Sequence, residues 1–244
     1  MGITRHASEH VAEVVIDVPP VNALSSSAWF ELARLVREAG ADTEVHAVVV
    51  RAEGRGFCAG VDIKELQADP QAIVAVNRGC FEAFAAVYEC AVPVVAAVQG
   101  FCLGGGVGVA GNADVIVASN DAEFGLPEVS RGALGAATHL SRLVPQHRMR
   151  AMFYTGDTAT AEELHAYGSV LRVVEPGELR KAALDVAGAI AAQPPEVVRL
   201  AKEALNGIDP VDVRRSYRFE QGFTFEAHVR GLGDEARQRF LDEK

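Results

Sequence analysis

Residues 99–128 read QGFCLGGGVGVAGNADVIVASNDAEFGLPE and follow a short apolar run, 93–98, with the character of a buried strand. Three consecutive glycines then open a small-residue segment ending near Asn112, which reads as a tight turn and a helix N-terminus. Glycines let a ligand approach the backbone, and the first N–H groups of a helix, with the positive end of its dipole, favour an oxyanion there. Glu128, behind Pro127 on the loop that follows, reads as the candidate acid or base. Gly106, Gly108 and Gly111 also have the GxGxxG spacing of a dinucleotide fingerprint. A strand reading at 114–119 starts three residues after Gly111, however, and leaves no room for the helix a dinucleotide fold requires.

Outward from this stretch the same pattern recurs. Residues 11–18 and 45–52 read as strands, and 25–40 as an amphipathic helix with apolar Trp29, Leu32, Leu35, Val36 and Ala39, closed by Gly40. The second strand runs into the turn-rich EGRGFCAG at 53–60, followed at 61–65 by a single helical turn. Asp69-Pro70 starts a helix whose face carries Ile73, Val76, Cys80, Phe84 and Val87. Beyond Glu128, short helices are expected at 136–143, 147–154 and 161–167, a strand at 170–174 and a helix at 179–192. The pair Pro194-Pro195 marks a boundary between a core, 1–193, and a helical tail, 194–244, with helices at 196–206, 211–230 and 234–241.

With 244 residues, 49% of them hydrophobic, the chain can bury a large core. Its net charge of −10 disfavours nucleic acid or an anionic membrane surface as a partner, and its apolar runs are too short to span a bilayer. The N-terminus lacks a basic-then-apolar signal pattern, which points to the cytoplasm. Cys58, Cys80, Cys90 and Cys102 lack C-x-x-C pairing and read as reduced, buried thiols. No metal constellation is expected, since His6 and His10 lie at what reads as an unstructured terminus beside a strand.

Two glycine-containing turns, Gly60-Val61 and Gly104-Gly105, each follow a strand and are separated by one long helix. N–H groups from two such turns can converge on one carbonyl oxygen, which suits a reaction passing through an enolate or tetrahedral oxyanion. The motifs FCAGVDIK at 57–64, the 94–106 stretch and FGLPE at 124–128 resemble, in order, the two oxyanion-hole loops and the catalytic-acid loop of the enoyl-CoA hydratase/isomerase, or crotonase, family. That resemblance implies an α/β fold, a spiral of ββα turns with a helical C-terminal region used in trimers or pairs of trimers. It implies an acyl-CoA thioester as substrate, with coenzyme A part of the substrate and no separate cofactor. Glu128 would be catalytic and the N–H groups of Val61 and Gly105 would hold the thioester oxygen. Ala59, Asp62, Ile63, Lys64 and Gly104 would lie along the bound CoA. Arg131 and His139 are further candidate substrate contacts, with a structural pairing to an acid and a satisfied helix histidine as their alternative readings.

Family hydratases carry a second glutamate at the position of Gly108, on the helix face shared with Gly105. Hydration shares water activation and carbon protonation between two carboxylates, so a simple hydratase is disfavoured here. The stretches 129–147, 88–93 and 217–225 resemble a family member of bacterial steroid degradation that opens a ring of a bicyclic CoA thioester by C–C hydrolysis, and the expectation is that Gly108 leaves room for a fused ring. A double-bond isomerase using Glu128 alone and a non-catalytic acyl-CoA binder remain as alternatives.

Overall fold

The computed structural model describes residues 2–235 and 238. The chain opens with the hairpin β1 (Gly2–Ser8) and β2 (Val11–Asp17), then β3 (Ala23–Leu24) and α1 (Ser26–Ala41), whose first turn is capped by the Ser25 side chain accepting from Ala28 N. Next come β4 (Ala47–Ala52), β5 (Gly60–Val61), α2 (Ile63–Ala68) and α3 (Ile73–Tyr88). The cycle repeats as β6 (Val94–Val98), β7 (Phe101–Leu103), α4 (Gly105–Ala110), β8 (Val115–Ser119) and β9 (Glu123–Gly125). The remainder is α5 (Ala137–Leu140), α6 (Gln146–Thr155), β10 (Thr158–Thr160), α7 (Ala161–Ala166), β11 (Arg172–Val174), α8 (Leu179–Ala191), α9 (Pro195–Ile208) and α10 (Val213–Val229).

A six-stranded sheet, β1-β2-β4-β6-β8-β11, is parallel except for the antiparallel β1. Its middle strands are mostly apolar, and β6 is wholly so, because both faces are covered. Val49, Val95, Ala97 and Val117 pack under Leu179, Ala183 and Val186 of α8. Val48, Val50, Val94, Ala96 and Val98 face the larger core built by α1 and α3, which includes Trp29, Leu32, Val36 and Phe84. Trp29 is fully buried, and a side chain of that size removes enough apolar area to contribute roughly 4–6 kcal/mol. Short strands form a second layer, β3 beside β5 and β9 between β7 and β10, and this layer carries the glycine turns.

The N-terminal expectation needs correction. Residues 2–8 are not an unstructured terminus: β1 pairs along its whole length with β2, and its mixed, half-exposed composition hides the period that would reveal it. The helix started by Asp69-Pro70 first makes a 3-10 turn, Pro70–Ala72, and becomes α-helical at Ile73. The expected boundary at 193/194 falls in the link between α8 and α9, where Pro195 takes the first turn of α9. Helix α10 packs back on α3 and α5, with Tyr217 and Gln221 buried. The helix expected at 234–241 lies largely outside the described residues. Among the described residues, no helix is long and apolar enough to cross a membrane.

The room expected at Gly108 is absent. The ring of Phe84, from α3, lies directly against Gly108, so that a Cβ there would collide with its Cζ. Trp29 occupies the same helix face at Gly105, 2.6 Å from where a Cβ would be, and meets Phe84 edge to face with ring centroids 5.6 Å apart. The glycines of α4 therefore let it approach two aromatic rings. Adding one methyl at Gly108 overpacks this contact, which costs about 1–3 kcal/mol against a smaller gain in helix propensity. Gly108→Ala should lower stability in urea titrations, and most of that loss should vanish in a Phe84→Leu background. An equal loss in both backgrounds would show that Phe84 is not what fills the space.

Candidate active site

Two short parallel segments bring the glycine turns together. Cys58 bridges Cys102: Cys58 N donates to Phe101 O at 3.2 Å and Leu103 N to Cys58 O at 2.9 Å. Continued along the chain, that register sets Gly60 beside Gly104 and Val61 beside Gly105. The close packing agrees, since a Cβ on Gly60 would lie 3.3 Å from Gly105 N and 3.7 Å from Gly104 Cα. Gly60, at φ +93, and Gly104, at φ +56, both occupy backbone conformations that suit glycine. Gly105 opens α4, where a first-turn N–H has no carbonyl four residues back to accept it. On the other turn, Asp62 N donates to Leu24 O at 2.9 Å, so strand alternation directs the preceding N–H, that of Val61, away from β3.

Glu128 arrives from the third strand of this layer. β7 pairs with β9 so that Leu103 faces Gly125, and Gly104 N donates to Gly125 O at 3.0 Å. Three residues later the Glu128 side chain folds over Gly104, where a Cβ would strike its Oε1. Glu128 Oε2 is buried without a hydrogen-bond partner. Burial pushes the carboxyl up to about 8, its own backbone N–H and Arg131 oppose the rise, and Glu220 adds to it. A carboxyl so placed takes or gives a proton near neutral pH, beside two N–H groups able to stabilise an oxyanion.

The other residues singled out in the sequence divide into two groups. Ala59, Asp62, Ile63 and Lys64 lie along the first turn and the start of α2. Asp62 caps α2 by accepting from Lys64 N at 3.0 Å, and Lys64 is exposed. Glu65 ties α2 to α1 by accepting from Ser26 N at 2.7 Å. Arg131, half-buried on the loop after Glu128, interacts electrostatically with it. His139 lies deeper, wholly buried between Phe84 and Tyr217 at centroid distances of 4.9 and 4.8 Å, and burial pushes it down to about 3 so that it is neutral. Gly108, also named above, faces Phe84. Burial raises Cys58 to about 12 and Cys102 well above its ordinary value, so neither is a ready thiolate. Among the described residues no group of three or more His, Cys, Asp or Glu side chains could hold a metal ion.

Phe84 and Glu220 were missed as parts of this neighbourhood. Phe84 was legible as a core position on α3, but its partner Gly108 lies far along the chain. Glu220 stands between aromatic residues in YRFEQGFTF, an acid on a helix that buries one face, and that was its only signal.

A parallel sheet whose second layer sets two glycine turns beside a buried carboxyl is an arrangement that suits chemistry on carbonyl compounds through oxyanions. The chain belongs to the enoyl-CoA hydratase/isomerase family, whose model matches residues 6–228. It is 59% identical over 245 residues to the (7aS)-7a-methyl-1,5-dioxo-2,3,5,6,7,7a-hexahydro-1H-indene-carboxyl-CoA hydrolase of Rhodococcus jostii, covering 99% of this chain and 95% of that protein. The protein of the same description from Mycobacterium tuberculosis is 60% identical over 244 residues, covering 99% of both chains. A crystal structure of an enoyl-CoA hydratase/isomerase from Xanthobacter autotrophicus superposes with a TM-score of 0.89 at 28% identity, over 99% of this chain and 92% of that one.

The buried carboxyl has a consequence for stability. From pH 4.5 to about 8 the unfolded chain loses the Glu128 proton while the folded chain keeps it, so stability falls as pH rises through that window, by on the order of a few kcal/mol. Glu128→Gln should accordingly melt at a higher temperature than the parent at pH 8, with the difference fading toward pH 4. Identical melting at pH 8 would contradict the burial of an ionisable group here.

Proposed function

We propose that this protein is a CoA-thioester C–C hydrolase that opens a ring of a steroid-derived bicyclic substrate. The observation that carries the reading is the single carboxylate. Glu128 stands on the Gly104-Gly105 turn, and Phe84 fills the place from which a side chain at position 108 would reach. The two relatives at 59–60% identity, both described as hydrolases of a dioxo-hexahydroindene-carboxyl-CoA, support the choice of substrate.

In this scheme Glu128 removes a proton from water as the oxygen attacks a ring ketone. The bond from that carbon to the ring-fusion carbon breaks, and its electron pair passes through the conjugated alkene to the thioester oxygen. The N–H groups of Val61 and Gly105 hold the resulting enolate; donors of this kind are worth roughly 3 kcal/mol each. The proton on Glu128 returns to carbon, leaving a new carboxylate. Ala59, Asp62, Ile63 and Gly104 border the path of the CoA, and exposed Lys64 supplies a cation for its phosphates. Arg131 offers a charge beside the acyl group. No cofactor enters beyond the CoA of the substrate, and no nucleic acid or membrane is needed.

The base form of Glu128 grows through about pH 8, so kcat/KM should rise to a limb there. Glu128→Gln should abolish turnover and leave CoA-thioester binding largely intact. In oxygen-18 water the new carboxylate should carry the label. Product without label there would overturn the hydrolase reading, and a product of unchanged mass would favour an isomerase using the same carboxylate.

The protein is also proposed to assemble as a homotrimer or a pair of trimers in the cytoplasm. Val197, Leu200, Leu205 and Ile208 of α9 are exposed apolar side chains, as are Phe219 and Phe223 of α10, and such a surface is costly to leave in water. Light scattering should give three or six times the chain mass. Leu200→Glu with Leu205→Glu should reduce it, and a monomeric parent would contradict the assembly.

A further inference from the structure

The loop between Glu128 and α5 is fastened at its far end by the C-terminal helix. Glu220 Oε1 accepts from Ala137 N at 2.8 Å, and Glu220 Oε2 accepts from Thr138 N and Thr138 Oγ1, each at 3.1 Å. One turn further along α10, Thr224 Oγ1 donates to Leu134 O at 3.1 Å. At the near end, Glu128 O accepts from Arg131 N and Ala133 N, both at 2.9 Å. Between these anchors Ala136 holds φ +59, a conformation a residue with a Cβ keeps only when its surroundings enforce it. Gly132 lies so close to Gly233 Cα that a Cβ there would collide with it.

We propose that Glu220 is a positioning residue for the reaction: from α10 it locks the N-terminus of α5, and with it the loop that carries Glu128, so that the Glu128 carboxyl stays on the Gly104-Gly105 turn. This rests on the reading of Glu128 as the base. α5 has four residues and cannot hold its own start, so its two free N–H groups need an acceptor from elsewhere. Burial raises Glu220, while the donors from Ala137 and Thr138 favour its charged form. That charge bears on Glu128, raising its proton affinity against Arg131 on the same loop. The other titratable groups near Glu128 are Cys80 of α3 and Tyr217 of α10, both raised first by burial and therefore neutral at working pH.

Glu220→Gln removes the charge and turns an NH2 group toward an N–H or hydroxyl donor. Glu220→Asp keeps the charge, and Thr224→Val removes only the second tether. Glu128 can be followed without substrate by carbon-13 NMR of carboxyl-labelled glutamate, its signal assigned by its disappearance in Glu128→Gln. Removing a nearby negative charge favours ionisation, so in Glu220→Gln that signal should titrate at lower pH than in the parent. The acid limb of kcat/KM should move the same way, and kcat should fall roughly tenfold or more with KM within about twofold, as expected of a displaced base rather than lost binding. Glu220→Asp should restore part of kcat. A folded Glu220→Gln protein with parental Glu128 titration and parental kcat overturns the proposal. If that variant does not fold, Glu220→Asp decides, since its shorter side chain cannot keep all three bonds to Ala137 and Thr138: a severalfold loss of kcat at a parental KM supports the lock and a parental kcat overturns it. A shifted titration in a protein that hydrolyses no thioester would leave the coupling standing and reject the reaction assigned to Glu128.

Discussion

One backbone register governs the site. The parallel backbone β-bridge of Cys58 with Cys102, both free thiols, aligns two segments so that the turns following them, Gly60-Val61 and Gly104-Gly105, lie at the same level. Everything nearby depends on that alignment. Strand alternation turns the Val61 N–H away from β3, Gly105 opens α4, and the chain leaving β9 lays the Glu128 carboxyl on the second turn. A side chain at Gly60 would press on Leu103 O and Gly105 N and push the turns apart. The central sheet, buried on both faces, gives the rigid floor against which so short a second layer can hold its register.

The second constraint is electrostatic. A carboxyl confined in a dry site without a partner for Oε2 opposes folding at neutral pH, yet the same burial raises it to about 8, where it exchanges protons under working conditions. Phe84 and Trp29 contribute to this dryness by closing the inner face of α4. Stability is thereby exchanged for a group with raised proton affinity, on a loop whose far end is hydrogen-bonded to α10.

Much of the architecture was legible because local chemistry and tertiary structure agree. The runs AVVVRA and VVAAV, short, β-branched and bounded by turn residues, read as strands, and the paired turns and Glu128 stood out as glycines and an acid in order along the chain. What sequence hid was long-range. Gly108 looked like vacant volume because nothing local announces that Phe84, from the preceding helix, occupies it. β1 lacked an apolar period because it is an edge strand with most of its side chains exposed. β7, β9 and β10 have three residues each, too few to show any period. His139 read as an open ligand contact, and only the packing of Phe84 and Tyr217 around it reveals a neutral core histidine.

The most direct test of the aligned turns is the infrared carbonyl band of an inert acyl-CoA, carbon-13 labelled at the thioester and bound to Glu128→Gln protein. Two N–H donors meeting that oxygen polarise the bond, so the band should move to lower wavenumber than in water, and Gly60→Ala, by displacing one turn, should reverse much of the shift. A bound thioester whose carbonyl band matches that in water would contradict the convergence of Val61 and Gly105 on one oxygen.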